Sequence, residues 1–290
     1  MKITNPVTVL FVACTLLAAS VLWAGQVKIG VDTSWRPIPE DVAPDGSGAM
    51  GSSFTNSLGM KFVWCPPGTY MMGSPSSEPG RYDNETQHQV TLTRGFHMQT
   101  TEVTQGQWNK VMGSNPSHFE DCGADCPVEK VSWDDAQEFI KKLNRMEGKT
   151  YRLPTEAQWE YAARAGSVTA FANGGIIEME CGHDPSLSVI GWYCGNASAK
   201  THPVAQKQVN AWGLYDMYGN VYEWCLDWYD GYPSGSVTDP TGPSSGSYRV
   251  FRGGCWNNYA RICRSANRIR YDPGDRNYNL GFRLSLPAVR

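Results

Sequence analysis

Apolar and polar positions along the chain sort into an N-terminal apolar run, an unpatterned stretch, three helices and several short strands. Val7 to Ala24 is almost wholly apolar and follows Lys2. Residues 25–55 hold Pro37, Pro39, Pro44 and a Gly/Ser run without periodicity, which predicts a linker. Phe62, Val63, Tyr70 and Met72 lie either side of a Pro66-Pro67-Gly68 turn, and Val90 to Phe96 alternates; both patterns predict strands. Thr104-Gln105-Gly106-Gln107 is a capping box ahead of Trp108, Val111 and Met112 at helical spacing. Ser132-Trp133-Asp134-Asp135 opens a second helix with Ala136, Phe139, Ile140 and Leu143 on one face, ended by Gly148. Thr155-Glu156-Ala157-Gln158 opens a third, which places Trp159, Ala162 and Ala163 inside. Beyond Arg164 turn residues dominate. Gly213 to Trp228 is aromatic core material, Asp230 to Ser247 a Pro/Gly/Ser loop, and Val250-Phe251 and Leu280 to Leu286 read as strands. Helices followed by short strands predict an α+β, loop-rich domain.

Composition adds three constraints. The chain is 290 residues long and 41% hydrophobic, so it can bury a core. Its net charge is −3, which argues against a nucleic-acid grip. The apolar N-terminus with Ala18, Ala19, Ser20 and Ala24 reads as a signal segment over residues 1–24, with a membrane anchor as the competing reading. Phe11-Val12-Ala13-Cys14 loosely resembles a lipobox, so export to the cell surface or the medium is expected, with Cys14 a lipid attachment point. Eight cysteines remain, an even number that suits disulfides in an exported chain. Cys122 with Cys126 and Cys181 with Cys194 are the local pairs. Cys65, Cys225, Cys255 and Cys263 admit three connectivities, and dispersed spacing disfavours zinc.

Several ordered segments then resemble one family. They are Pro67-Gly68-Thr69 with Met72-Gly73-Ser74, Thr101-Glu102-Val103-Thr104, Pro127-Val128 through Trp133, and Arg152-Leu153-Pro154-Thr155-Glu156-Ala157-Gln158-Trp159-Glu160. Gly213-Leu214-Tyr215-Asp216-Met217, Gly219-Asn220-Val221-Tyr222-Glu223-Trp224, Arg252-Gly253-Gly254, Cys263-Arg264-Ser265-Ala266 and Gly281-Phe282-Arg283 follow. The order is similar to the formylglycine-generating-enzyme (sulfatase-modifying factor) domain, whose fold is C-type-lectin-related. The resemblance implies a single domain over residues 56–290. Oxidase members of that family bind copper through a Cys-x4-Cys pair. Here Cys263 stands at the second position, Asn258 at the first, and Cys255 where the family usually has Ser. The resemblance suggests Cys65–Cys255 and Cys225–Cys263 as the remaining bridges. It also implies a calcium element at Asn220 and Glu223, with oxygen ligands. The five histidines lack the His-x3-His spacing of the related sulfoxide synthases.

Residues 255–283 are distinctive. They hold five Asn, three Tyr and six Arg in 29 residues, with no Lys, Glu, Gln or Met. Asn favours neither helix nor strand, so the stretch needs a scaffold to hold it. It resembles the variable region of diversity-generating-retroelement proteins, in which adenine-directed mutation of AAC codons diversifies a 3′ segment. Trp256, Ala260, Arg264, Ala266, Arg268, Pro273, Arg276, Gly281 and Phe282 interleave as scaffold residues with residues reachable from such codons. The implied contact set is Asn257, Asn258, Tyr259, Ile262, Asn267, Ile269, Arg270, Tyr271, Asp272, Gly274, Asp275, Asn277, Tyr278, Asn279 and Leu280. Tyr and Asn supply the adaptable contacts that antibody loops use. The segment's charge of +4 suggests an anionic or aromatic partner. The expectation is a monomeric, non-enzymatic binding protein without a catalytic residue or resident cofactor. A copper-dependent oxidase making formylglycine from a substrate cysteine is the alternative.

Overall fold

The computed structural model describes residues 52–288. The signal segment, Cys14 and linker residues 25–51 lie outside the described residues. Three small sheets organise the rest. The first is antiparallel, ordered β1 (Ser53–Thr55), β2 (Lys61–Cys65), β5 (Phe96–Gln99), β11 (Ser285–Pro287). The second places β10 (Leu280–Gly281), β6 (Tyr222–Trp228), β8 (Arg249–Arg252) and β9 (Arg268–Tyr271) in that order. The third joins β3 (Gly68–Met72), β4 (His88–Leu92) and β7 (Val237–Thr238). With three longer helices packed among these sheets the fold class is α+β, as the patterning predicts.

The helices begin where the capping boxes place them. α1 (Gln105–Met112), α2 (Trp133–Glu147) and α3 (Glu156–Arg164) are capped by Thr104, Ser132 and Thr155, each with a reciprocal bond from the third helical residue. α2 ends at Gly148 in the left-handed region and buries Ala136, Phe139, Ile140 and Leu143. α3 differs from expectation in burying every residue from Glu156 to Arg164, charged ones included. A short α4 (Leu187–Ile190) follows in the turn-rich stretch.

Two apolar clusters fill the interior. One gathers around Trp159, Phe96 and Tyr193, the other around Trp224, Phe139 and Phe282. Buried ion pairs tie them to the C-terminal segment. Glu156 accepts from Arg268 at 2.7 Å and from Arg252 at 3.2 Å, and Glu160 pairs with Arg252 and Arg164. Arg264 reaches Glu78 and Glu85 at 2.7 Å each, and Arg283 reaches Glu223 at 2.7 Å. All are almost wholly removed from solvent, where a charge is tolerated only when paired.

Four expectations need correction. The linker's last residues form β1, held by Phe54 stacked on Phe62 at 4.9 Å. The Val90–Phe96 run divides between β4 and β5, because the chain turns at Thr93–Gly95 to change sheets. The last predicted strand divides into β10 and β11, because Phe282–Leu284 crosses from the second sheet to the first. Of the disulfides, Cys122–Cys126 and Cys181–Cys194 form, whereas Cys65, Cys225, Cys255 and Cys263 are free and buried. Cys65 and Cys255 belong to different apolar clusters; the Cys225 sulfur rests on Glu223 O, and that of Cys263 lies under Gly254.

Candidate ligand-binding site

The second sheet explains how a segment poor in regular structure is held. Its interior strands β6 and β8 carry Trp224 and Phe251 into the core. Residues 255–283 supply β9 and β10, the two flanking strands. The segment therefore borrows its order from a hydrophobic sheet centre that it does not contribute.

After β8 the chain turns through Gly253 and Gly254, at φ +97° and +73°. A Cβ on Gly254 would stand 2.5 Å from Cys263 Sγ, so glycine is required for the chain to cross that thiol. Cys255 and Trp256 then turn inward, and Asn257 and Asn258 outward. The Cys255 thiol donates toward Asn257 Oδ1 at 3.0 Å and Asn258 Oδ1 at 2.9 Å, and Asn279 Nδ2 reaches its sulfur at 3.4 Å. Three predicted contact residues thus converge over one buried thiol. Tyr222, buried beside them, was not singled out from sequence; burial raises its phenol well above the usual range. Its position in an aromatic-rich run gave no signal to separate it from core.

Eight of the predicted residues are exposed: Asn257, Tyr259, Arg270, Tyr271, Asp272, Gly274, Asp275 and Tyr278. Asn258, Ile262, Ile269, Asn277 and Asn279 are half-buried. Asn267 and Leu280 are corrections, being 4% and 0% exposed. Asn267 is drawn in between the buried arginines at 264 and 268, with its amide on Arg264 O. Leu280 pairs with Tyr222 in β10 and fills the second cluster. The interleaved Trp256, Ala260, Arg264, Ala266, Arg268, Gly281 and Phe282 are all buried, while Pro273 is half-buried and Arg276 exposed.

The exposed residues do not share one face. Side chains alternate along β9. Ile269 packs toward the Trp224 cluster and Tyr271 lies 4.7 Å from Phe251. Arg268 and Arg270 take the opposite face, both 4.4 Å from the Tyr229 ring. Asp272 and Gly274 form a turn whose Pro273 carbonyl accepts the Trp133 amide at the start of α2. Asn277 accepts the Lys130 amide at 2.9 Å. Tyr278 lies 5.8 Å from Trp256 and 5.6 Å from His118. Beside that ring opens a cleft of about 560 Å³, lined by His118 to Cys122 and Lys200 to Pro203. Nothing in the sequence marked it, since its two walls lie some 80 residues apart.

Copper does not suit the residues present. A copper(I) centre of this kind takes two soft thiolates. Asn258 offers an amide at the first position. Burial pushes the Cys263 thiol up to about 12 and the Cys255 thiol well above its ordinary value, so both carry their protons at neutral pH. The Asn220–Glu223 element is likewise engaged. Glu223 accepts from Arg283 and from Trp159 Nε1 at 2.7 Å, and Asn220 Oδ1 accepts the His202 amide at 3.0 Å. Close to Asn220, Glu102 Oε1 and Asp216 Oδ1 are buried without a protein partner.

Residues 49–287 match the model of the sulfatase-modifying factor enzyme 1-like domain. The chain belongs to this family. Within it, the chain is similar to two kinds of protein. Treponema denticola variable protein 1 is 31% identical, over 81% of this chain and 98% of that one, with a TM-score of 0.72. The formylglycine-generating enzyme of Streptomyces coelicolor is 28% identical over 87% of this chain and 96% of that protein. Both resemblances that the motifs implied are therefore present in one chain. PvdO from Pseudomonas aeruginosa shares the fold as well, at 29% identity and TM-score 0.71 over 83% of this chain and 100% of that one. Other relatives are much longer: the chain spans 24% of the chlamydial serine/threonine-protein kinases that it matches at 38–40% identity.

Proposed function

We propose that the chain is a non-enzymatic, exported ligand-binding protein whose C-terminal segment is a diversified site on a sulfatase-modifying-factor-type scaffold. One observation carries the reading. Within residues 255–283, thirteen of the fifteen positions assigned to contact reach solvent, whereas seven of the nine interleaved scaffold residues are buried. A segment that evolves by substitution at its exposed positions leaves the buried scaffold residues in place. The similarity to a variable protein across 98% of that chain supports the same reading, and the mismatch at Asn258 speaks against the oxidase chemistry. The ligand is a protein or surface component bound by a monomer, with the apolar N-terminus, or a lipid on Cys14, as its membrane link. No resident catalytic cofactor belongs to this function. Calcium, which the resemblance implies at Asn220 and Glu223, would have to displace Arg283 and Trp159 from Glu223 and the His202 amide from Asn220.

The reading makes a genomic and a biochemical prediction together. The DNA encoding residues 255–283 has a near-copy beside a reverse-transcriptase gene, differing only at adenines. The purified, copper-supplied protein leaves a sulfatase-type cysteine peptide unmodified under air, by mass spectrometry. Formylglycine in the peptide, lost on Cys263→Ala, would establish the oxidase in its place.

A further inference from the structure

The charge of the variable segment inverts once its arginines are located. Five of the six are already engaged with carboxylates. Arg264, Arg268 and Arg283 are buried on glutamates, Arg261 pairs with Glu180, and Arg276 holds Asp135 at 2.6 Å. The sixth, Arg270, lies over Tyr229 on the face of β9 away from Tyr271. Asp272 and Asp275 are exposed, and the described residues give neither an ion-pair partner. They are joined by Asp134, whose amide approaches Pro273 O, and by Glu120 and Asp121 in the cleft beside Tyr278. Lys130, Lys200 and Arg249, which lies over the Trp133 ring beside Asp134, are the cations at the margin, so five carboxylates face three cations. The expectation of an anionic partner, read from a charge of +4, counted cations of which five are already paired with carboxylates of the protein itself.

A second observation, independent of charge, points to an occupant. Thr201 lines the same cleft, is 0% exposed, and its Oγ1 has no protein partner. The Nε1 of Trp256, 7% exposed and packed near the Tyr278 ring, is also unpartnered. Buried polar atoms of this kind are ordinarily satisfied, and a peptide supplies the carbonyls that would satisfy both.

We propose that this face binds a basic peptide segment of a protein partner, with Lys or Arg side chains on the carboxylates and aromatic rings around Tyr278 and its backbone along the cleft. This deepens the binding reading and rests on it. Half-exposed tyrosines favour the same partner, because a cation over an aromatic face is attracted by the ring quadrupole.

The test selects a random-peptide phage library on the full-length protein at 50–150 mM salt, in the range where exposed charges are only partly screened. Enriched peptides are expected to carry more Lys and Arg than the unselected library. Binding of a synthetic hit should weaken about tenfold or more in a variant combining Glu120→Gln, Asp121→Asn, Asp272→Asn and Asp275→Asn, with circular dichroism unchanged. Those four side chains are solvent-facing, so the fold does not depend on them. Enrichment of acidic or uncharged peptides, or undiminished affinity in the quadruple variant, overturns the proposal while leaving the binding reading intact. Failure to enrich any peptide overturns both.

Discussion

Arg283→Met is expected to destabilise the protein by about 3–5 kcal/mol, the usual cost of leaving a buried charge without its partner. Arg283 is 0% exposed and donates two hydrogen bonds of 2.7 Å to Glu223, itself 0% exposed. Its remaining donors go to the carbonyls of Gln99, Thr100 and Tyr215. One guanidinium therefore joins β5, the Gly213–Met217 turn and β6 to the crossing between β10 and β11. Met fills much of the volume but offers no donor, which isolates effects of charge from effects of packing. For a domain of this size the loss corresponds to about 10 °C in melting temperature. Adding Glu223→Leu should restore part of it, because removing both members of a buried pair costs less than removing one. A loss below about 1 kcal/mol by thermal unfolding would show that the pair is not holding the sheets together.

Arg264→Ala should be comparably damaging, by about 3–5 kcal/mol. It matters more to the functional reading because Arg264 lies inside the variable segment. Its guanidinium reaches Glu78, Glu85 and Gly80 O, which pins the Pro75–Glu85 loop under residues 260–265. The pH profile adds a signature. Burial alone would raise the Glu85 carboxyl, but its bonds from Arg264 outweigh that and hold it below its ordinary value of 4.5. A depressed carboxylate stabilises above its unfolded value and loses that contribution as pH falls through the folded one. The stabilisation from Glu85 is thus present at neutral pH and disappears below about pH 4.5. Glu78 runs the other way, since burial raises it more than Arg264 lowers it. Arg264→Ala should remove the Glu85 part of the acid limb as well as the neutral-pH stability, read as a flatter loss of melting temperature between pH 5 and 3. An unchanged acid limb would mean that the pairing does not set the Glu85 protonation.

How much of this was legible depends on the range of the interactions. Capping boxes and glycine stops act within one turn, and Thr104, Ser132, Thr155 and Gly148 fixed four helix ends from sequence. Cys122–Cys126 and Cys181–Cys194 close short loops, so spacing alone suggested them. Cys65, Cys225, Cys255 and Cys263 were different, because their contacts are set by long-range packing, with Cys255 in one cluster and the other three in the other, which no spacing reveals. The arginines failed for the same reason. Arg264 finds its glutamates 179 and 186 residues earlier, and a local charge count cannot see that distance. In the site, alternation of scaffold and variable residues foretold burial at most positions. It misplaced Asn267, which is carried inward between two buried arginines, and Leu280, which a short parallel strand places in the core.

The central claim is that a fixed core holds side chains that can be exchanged without cost to the fold. Simultaneous replacement of Asn257, Tyr259, Tyr271, Asp272, Asp275 and Tyr278 by Ala tests it, with thermal unfolding as the measurement. All six are exposed, and substitutions at such positions rarely cost more than a few tenths of a kcal/mol each. The account predicts a cooperative transition and a total loss under about 2 kcal/mol, less than Arg264→Ala alone inflicts. A sixfold variant that is unfolded, or as destabilised as that single arginine change, would contradict it.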